Sequence, residues 1–279
     1  MKGRRLTAQM LAQYEAYLMR EEKSAATVSK YMHDARKFLA CTAGRSLTKE
    51  LVLDYKKELT DSGYAVRSVN SMLASLNSLL TFLGWTDLRV KFLRVQRQTY
   101  CAEDRELTRG EYLRLLEASQ ADEKLNLVLQ TICSTGIRVS ELRYFTVEAV
   151  SRGELSVRCK SKIRTILVPG KLKKLLLRYA KSRSIRSGCL FLGAKGKPLD
   201  RSCIWARMKK LCEKAGVKAT KVFPHNLRKL FARCFYAIEK DIAKLADILG
   251  HSSIETTRIY IMTTGSEHRK KIEQLHLLR

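Results

Sequence analysis

LGHSSIETTRIY, residues 249–260, is the stretch from which the chain is best read. An apolar helical run, Ile242–Leu249, leads into it and is stopped by Gly250. Ser252-Ser-Ile-Glu255 has the spacing of a capping box and opens a short helix through Ile261. Tyr260 closes the string nine residues after His251. A lone tyrosine on a short helix is more often a packed aromatic than a nucleophile. The length and polarity of this string make Tyr260 a candidate for chemistry.

Two further polar strings lie upstream. In TGIRVSEL, residues 135–142, Gly136 ends an apolar helix and Arg138 follows the break. Glu141, three residues on, is spaced to pair with Arg138 and hold its guanidinium. In PHNLR, residues 224–228, His225 and Arg228 lie one turn apart at a helix N-terminus. Such an end offers free N–H groups and partial positive charge, which suit a phosphate.

The fold class expected is mostly α with a small β-hairpin. Residues 5 to about 84 read as four helices with basic polar faces. The last of these has Val66, Val69, Met72, Leu73, Leu76, Leu79, Leu80 and Leu83 at 3- and 4-residue steps, with Gly84 as its stop. Periodicity is lost over 88–106, and the division expected is a helical domain over 1–95, a linker over 96–106 and a second domain over 107–279. Thr108 and Glu111 form a capping box at the start of the second. Leu155–Cys159 and Ile163–Val168 flank Lys160-Ser-Lys162 as a hairpin. Helices follow over Lys171–Lys181, Cys203–Ala215 and His225–Glu239.

Charge narrows the function. The 279 residues carry 54 Lys and Arg against 27 Asp and Glu, a formal +27. Residues 1–100 hold 17 basic and 9 acidic side chains, and 101–279 hold 37 and 18, so both halves are suited to one polyanion. With 3 Pro and 14 Gly, the chain reads as compact, not as a disordered basic protein. There is no apolar run of membrane-spanning length and no signal peptide, so no membrane partner is expected. The eight cysteines form no CxxC and no zinc spacing, as in a reduced, cytoplasmic protein. There is neither a Walker A string nor the carboxylate cluster of a two-metal nuclease.

The three strings, in this order and with a lysine-bearing hairpin between the first two, resemble the tyrosine recombinase (phage integrase) family, whose boxes read TGxRxSEL, HxLR and LGHxxxxTTxxY. The resemblance covers most of the chain. It implies a core-binding domain, a catalytic domain, and a C-shaped clamp of the two around double-stranded DNA. Four protomers would meet on two sites, as in a Xer-like recombinase or the integrase of a mobile element. It also implies that Tyr260 attacks a phosphodiester to form a 3′-phosphotyrosine, and that Arg138 and Arg228 clamp the non-bridging oxygens. His225 would move the nucleophile's proton, His251 would bond the phosphate, and Lys160 would protonate the departing 5′-oxygen. No cofactor and no metal are implied. Two positions depart from the common pattern. Lys229-Leu230 follows HNLR where His-Thr is frequent, and the hairpin reads CKSKIRT where GKGNKxR is frequent. Lys160 matches the first lysine of that pattern and Lys162 the second. Ile272, Leu275 and Leu278 make a narrow apolar stripe on an expected helix over Ser266–Arg279. In the family such a tail docks on a neighbouring protomer. The alternatives are relaxation of the type IB topoisomerase kind, a catalytically silent DNA-binding relative, and an RNA-binding protein, which would want a stacking motif absent here.

Overall fold

The computed structural model describes residues 4–42, 44–95, 100–159, 162–193 and 196–275, with 158, 159 and 162 described by backbone alone. The chain divides into two units, residues 1–97 and 98–279.

The first unit holds α1 (Ala8–Arg20), α2 (Ala25–Thr42), α3 (Lys49–Asp61) and α4 (Val66–Phe82). Thr7 and Thr48 cap α1 and α3 by accepting the N–H groups of Met10 and Leu51. The spine is α4, which buries Val69, Leu73, Leu76, Leu79 and Leu80 and packs on α2 and α3. Beyond it a 3-10 turn over Thr86–Leu88 leads into extended chain, and two α4 amides supply the partners this backbone needs. Asn77 exchanges bonds of 2.8 and 3.0 Å with the carbonyl and N–H of Val90. Asn70, two turns away, does the same with Leu93 at 2.9 and 2.8 Å. The aperiodic sequence after residue 88 is thus tied to α4 as far as Leu93.

The second unit runs α5 (Arg109–Ala118), α6 (Glu123–Thr135), α7 (Val147–Arg152), β1 (Glu154–Cys159), β2 (Lys162–Leu167), α8 (Gly170–Ser182), α9 (Arg201–Ala215), α10 (Pro224–Glu239), α11 (Ile242–Leu249), α12 (Ile254–Ile261) and α13 (Gly265–Glu273). Its centre is α6, with Val128, Leu129 and Ile132 fully buried, crossed by α10. The strands pair antiparallel with Val157 opposite Arg164. Leu155, Val157 and Ile166 face the core while Ile163 and Leu167 face solvent, the period-two alternation of a half-buried hairpin. Thr108 and Glu111 form the expected reciprocal cap on α5.

One local expectation is corrected. The cap of α12 is Ser253, whose hydroxyl accepts the N–H of Glu255, so Ser252 and Glu255 form no box. Glu255 instead faces Arg258, one turn on, at 3.6 Å. The C-terminal segment is held by its own chain at its start. The Cys101 N–H donates to the Thr263 carbonyl at 3.1 Å, Ser266 bonds Glu103, and Arg233 meets Glu267 at 2.5 Å. Ile272 and Leu275 of the apolar stripe are exposed, and Leu278 lies outside the described residues. Among the described residues no helix is long and apolar enough to cross a membrane.

Candidate active site

Four breaks in the helices of the second unit bring the three strings together. Gly136 ends α6 in the left-handed region at φ +64°, and a Cβ there would lie 2.3 Å from the Phe231 ring. Only glycine lets α10 approach this closely. The chain then turns out to Arg138, which precedes a 3-10 turn over Val139–Tyr144. Phe223 precedes Pro224, whose fixed φ suits the first turn of α10, and His225 and Arg228 follow. Gly250 ends α11 at φ +64°, so His251 swings back beside α10. The fourth break is at Ser253, where α12 begins. Thr257 and Tyr260, three residues apart on α12, both turn inward.

Arg138 is held through Glu141. The Arg138 N–H donates to Oε2 at 2.7 Å and its Nη1 to Oε1 at 3.2 Å, and Nη2 reaches the Gly250 carbonyl at 3.3 Å. Arg228 is buried at 1% exposure. It donates to the carbonyls of Gly136 at 2.5 Å and Leu249 at 2.6 Å, while its Nε is buried with no hydrogen-bond partner among the described residues. A third donor bond of Arg228 goes to His251 Nε2 at 3.1 Å. A guanidinium can only donate, so Nε2 accepts and Nδ1 carries the proton, which it donates to Thr257 Oγ1 at 2.9 Å. Arg228 thereby fixes the His251 tautomer, and the Thr257 hydroxyl accepts the remaining proton.

The Tyr260 ring is framed by His225, with centroids 5.0 Å apart, by His251 at 4.8 Å, and by the Arg228 guanidinium at 5.9 Å. Tyr260 itself is 8% exposed. Burial, with Lys229, Arg228, Arg201 and Arg138 around it, lowers the His225 pKa to about 4. Burial, then Arg228 and Arg138, lowers that of His251 to about 4 as well. Both imidazoles are neutral at pH 7. Burial and the neighbouring Arg138 bring Arg228 down to about 10, so it stays charged. A cleft of about 720 Å³ opens beside these groups, walled by Arg138, Arg201, Trp205, Phe223, His225 and Arg228.

Arg138, Glu141, His225, Arg228, His251 and Tyr260 are thus brought together from four segments. Lys160 lies outside the described residues, as does the side chain of Lys162. Lys229, at the first departure from the common pattern, bonds the buried Glu106 at 2.6 Å. Asn226 anchors the start of α10 by donating to the carbonyls of Arg105 and Lys221 at 2.6 and 2.8 Å. Sequence reasoning passed over Arg164 and Thr257. The first is the arginine at the end of the KxR hairpin pattern, and the second is a threonine of the TT pair, so both signals were present in the quoted strings.

Residues 105–267 match the phage integrase family, and residues 11–87 match the phage integrase N-terminal SAM-like domain. Tyrosine recombinase XerA of Pyrococcus furiosus is 30% identical over 288 residues, spanning 100% of this chain and 98% of that protein. A crystal structure of XerA recombinase aligns at 25% identity with a TM-score of 0.55, over 97% of this chain and 99% of the other. A lambda integrase dimer bound to a COC′ core site shares the fold, with a TM-score of 0.75 at 17% identity, over 94% of this chain and 96% of that one. The chain belongs to the phage integrase family, among the tyrosine recombinases.

Proposed function

We propose that this chain cleaves and rejoins double-stranded DNA at specific sites through a 3′-phosphotyrosine on Tyr260. The observation that carries this is the framing of the Tyr260 ring by two neutral imidazoles and the buried Arg228. A tyrosine hydroxyl ionises near pH 10, so attack at neutral pH needs a group to take its proton. His225, neutral and beside the ring, is that group. The bond energy is kept in the phosphotyrosine, so rejoining needs no nucleotide.

Charge complementarity supports the same reading. Among the described residues, Arg138, Arg164, Arg201 and Arg228 stand at or behind the cleft against Glu141 and Asp200, an excess of two positive charges. A phosphodiester brings one negative charge, and the pentacoordinate transition state carries two. The added charge falls on the non-bridging oxygens that the two arginines would clamp, while the proton goes to His225, so the clamp holds the transition state more strongly than the substrate. A phosphate oxygen also offers the buried Arg228 Nε the acceptor it lacks. His251 braces Arg228 by accepting from its Nη2. To donate to phosphate its Nε2 must carry the proton, which the other neutral tautomer provides, with Nδ1 then accepting from the Thr257 hydroxyl. Lys160 is assigned as the general acid on the hairpin pattern, Glu141 as the support of Arg138, and residues 1–95 as the core-binding domain. Assembly is a tetramer on two sites, working in the cytoplasm, where the DNA is.

The test is to trap denaturant-resistant complexes on a random-sequence duplex library and sequence the bound fragments. A shared sequence, with the adduct lost in Tyr260→Phe and DNA binding kept, is the expected result. An adduct that persists in Tyr260→Phe moves the nucleophile elsewhere. Scattered fragments with monomeric plasmid relaxation mark a topoisomerase.

A further inference from the structure

One buried cation of the second unit is given no contact with the substrate in this chemistry. Arg164 turns inward from β2 with its side chain 9% exposed. Its Nη2 donates to Glu141 Oε2 at 2.5 Å and its Nη1 to the Leu249 carbonyl. Each acceptor is shared with an arginine of the site. Glu141 also holds Arg138, and the Leu249 carbonyl also holds Arg228. The backbone beside it is shaped to admit it. A Cβ on Gly250 would lie 2.8 Å from both Cδ and Nη1 of Arg164. The glycine of LGH therefore both ends α11 and leaves room for a guanidinium to cross the corner that leads to His251.

We propose that Arg164 is a positioning residue for strand cleavage, which sets Arg138 and Arg228 together by fixing Glu141 and the Leu249–His251 corner. This rests on the reading above, in which those two arginines clamp the scissile phosphate. A carboxylate held by Arg138 alone follows that side chain as it moves. Held from a strand as well, it becomes a fixed post, and the fork of Arg138 acquires one preferred direction. At the other end, the Leu249 carbonyl has two lone pairs and two guanidinium donors, so Arg164 leaves Arg228 a single place on it. The arrangement spaces the two clamping arginines without lending the phosphate a third contact.

The test uses the full chain and the duplex recovered by covalent trapping, nicked to make cleavage irreversible. The scissile position carries a normal phosphate or a methylphosphonate. The methylphosphonate lacks the charge the clamp neutralises, so it forgives a misplaced arginine but not a misfolded protein. Arg164→Met should slow cleavage of the phosphate about 100-fold, the scale seen when one transition-state donor is lost, with DNA affinity within about threefold of wild type. On the methylphosphonate the defect should shrink to roughly tenfold or less. Combined with Glu141→Gln, the two losses should be markedly non-additive. Arg164→Lys keeps the charge but not the fork, and should fall between, with the same selective recovery. It carries the comparison if Arg164→Met does not fold. Equal defects on both duplexes, or additive losses, would overturn the proposal. A wild-type protein forming no Tyr260-dependent adduct on either duplex would overturn the cleavage reading itself.

Discussion

Arg228 heads the largest side chains that are almost wholly buried, at 1% exposure. Removing a guanidinium from water costs several kcal/mol, and carbonyls offset only part of that. The Arg228 Nε is left over, at a cost of about 1–3 kcal/mol for an unmade buried bond. Its neighbours bear the consequence, since burial and cationic surroundings lower both imidazoles from 6.5 to about 4. A base with a lowered pKa keeps its lone pair as the pH falls. The cleavage rate at sub-saturating DNA should therefore hold through pH 6.5 and drop only towards pH 4. A midpoint at 6.5 in a pH–rate profile would show that the accepting imidazole keeps its ordinary pKa, and an unchanged rate in His225→Gln would show that His225 is not the acceptor. The hairpin lysines separate by leaving group. Lys160→Ala should be slow on a normal phosphodiester and largely rescued by a 5′-bridging phosphorothiolate, whose sulfur departs without a proton. Rescue in Lys162→Ala instead would shift the assignment by one lysine.

At the scale of elements, helix ends do the positioning. Arg138 and His251 each follow a left-handed glycine, and His225 and Tyr260 sit on helices opened by Phe223-Pro224 and Ser253. The glycines are not equivalent. Gly136 and Gly84 both have positive φ, but a Cβ on Gly84 meets nothing within 4 Å, whereas on Gly136 it meets the Phe231 ring at 2.3 Å. Gly84→Ala should cost only the backbone strain, about 1–2 kcal/mol. Gly136→Ala adds overpacking between α6 and α10, for a total of about 2–5 kcal/mol. Denaturant midpoints of the two variants check the difference, and similar values would mean that α10 shifts freely. The tail shows the same local logic. Its start is pinned to Cys101 and Glu103, while Ile272 on the helix and Leu275 just past its end stay exposed.

For the molecule as a whole, the dominant quantity is the +27. Self-repulsion of that size is tolerated where a polyanion neutralises it, and both halves of the chain contribute. With roughly 6–10 phosphate contacts, affinity for duplex DNA should fall about 10³–10⁵-fold between 50 and 200 mM salt. Binding isotherms across that range test it. A nearly flat response would separate the charge from DNA recognition.

Element types and most element ends were legible in the sequence because their causes are local. Apolar steps of three and four mark α4, alternation marks the hairpin, and Gly136, Gly250 and Thr108 act within four residues of themselves. The three polar strings were equally legible, and their order along the chain pointed to the family. Tertiary structure alone decided which polar groups turn inward and what they meet. Arg164 finds Glu141 across 23 positions and Leu249 across 85, Asn77 closes on Val90, and Ser266 reaches Glu103 across 163. It also decided between Ser252 and Ser253 as the cap of α12, two adjacent serines that spacing does not separate. Such choices depend on which carbonyl or carboxylate is left unpaired after helices distant in sequence have packed, and no pattern of neighbouring residues carries that.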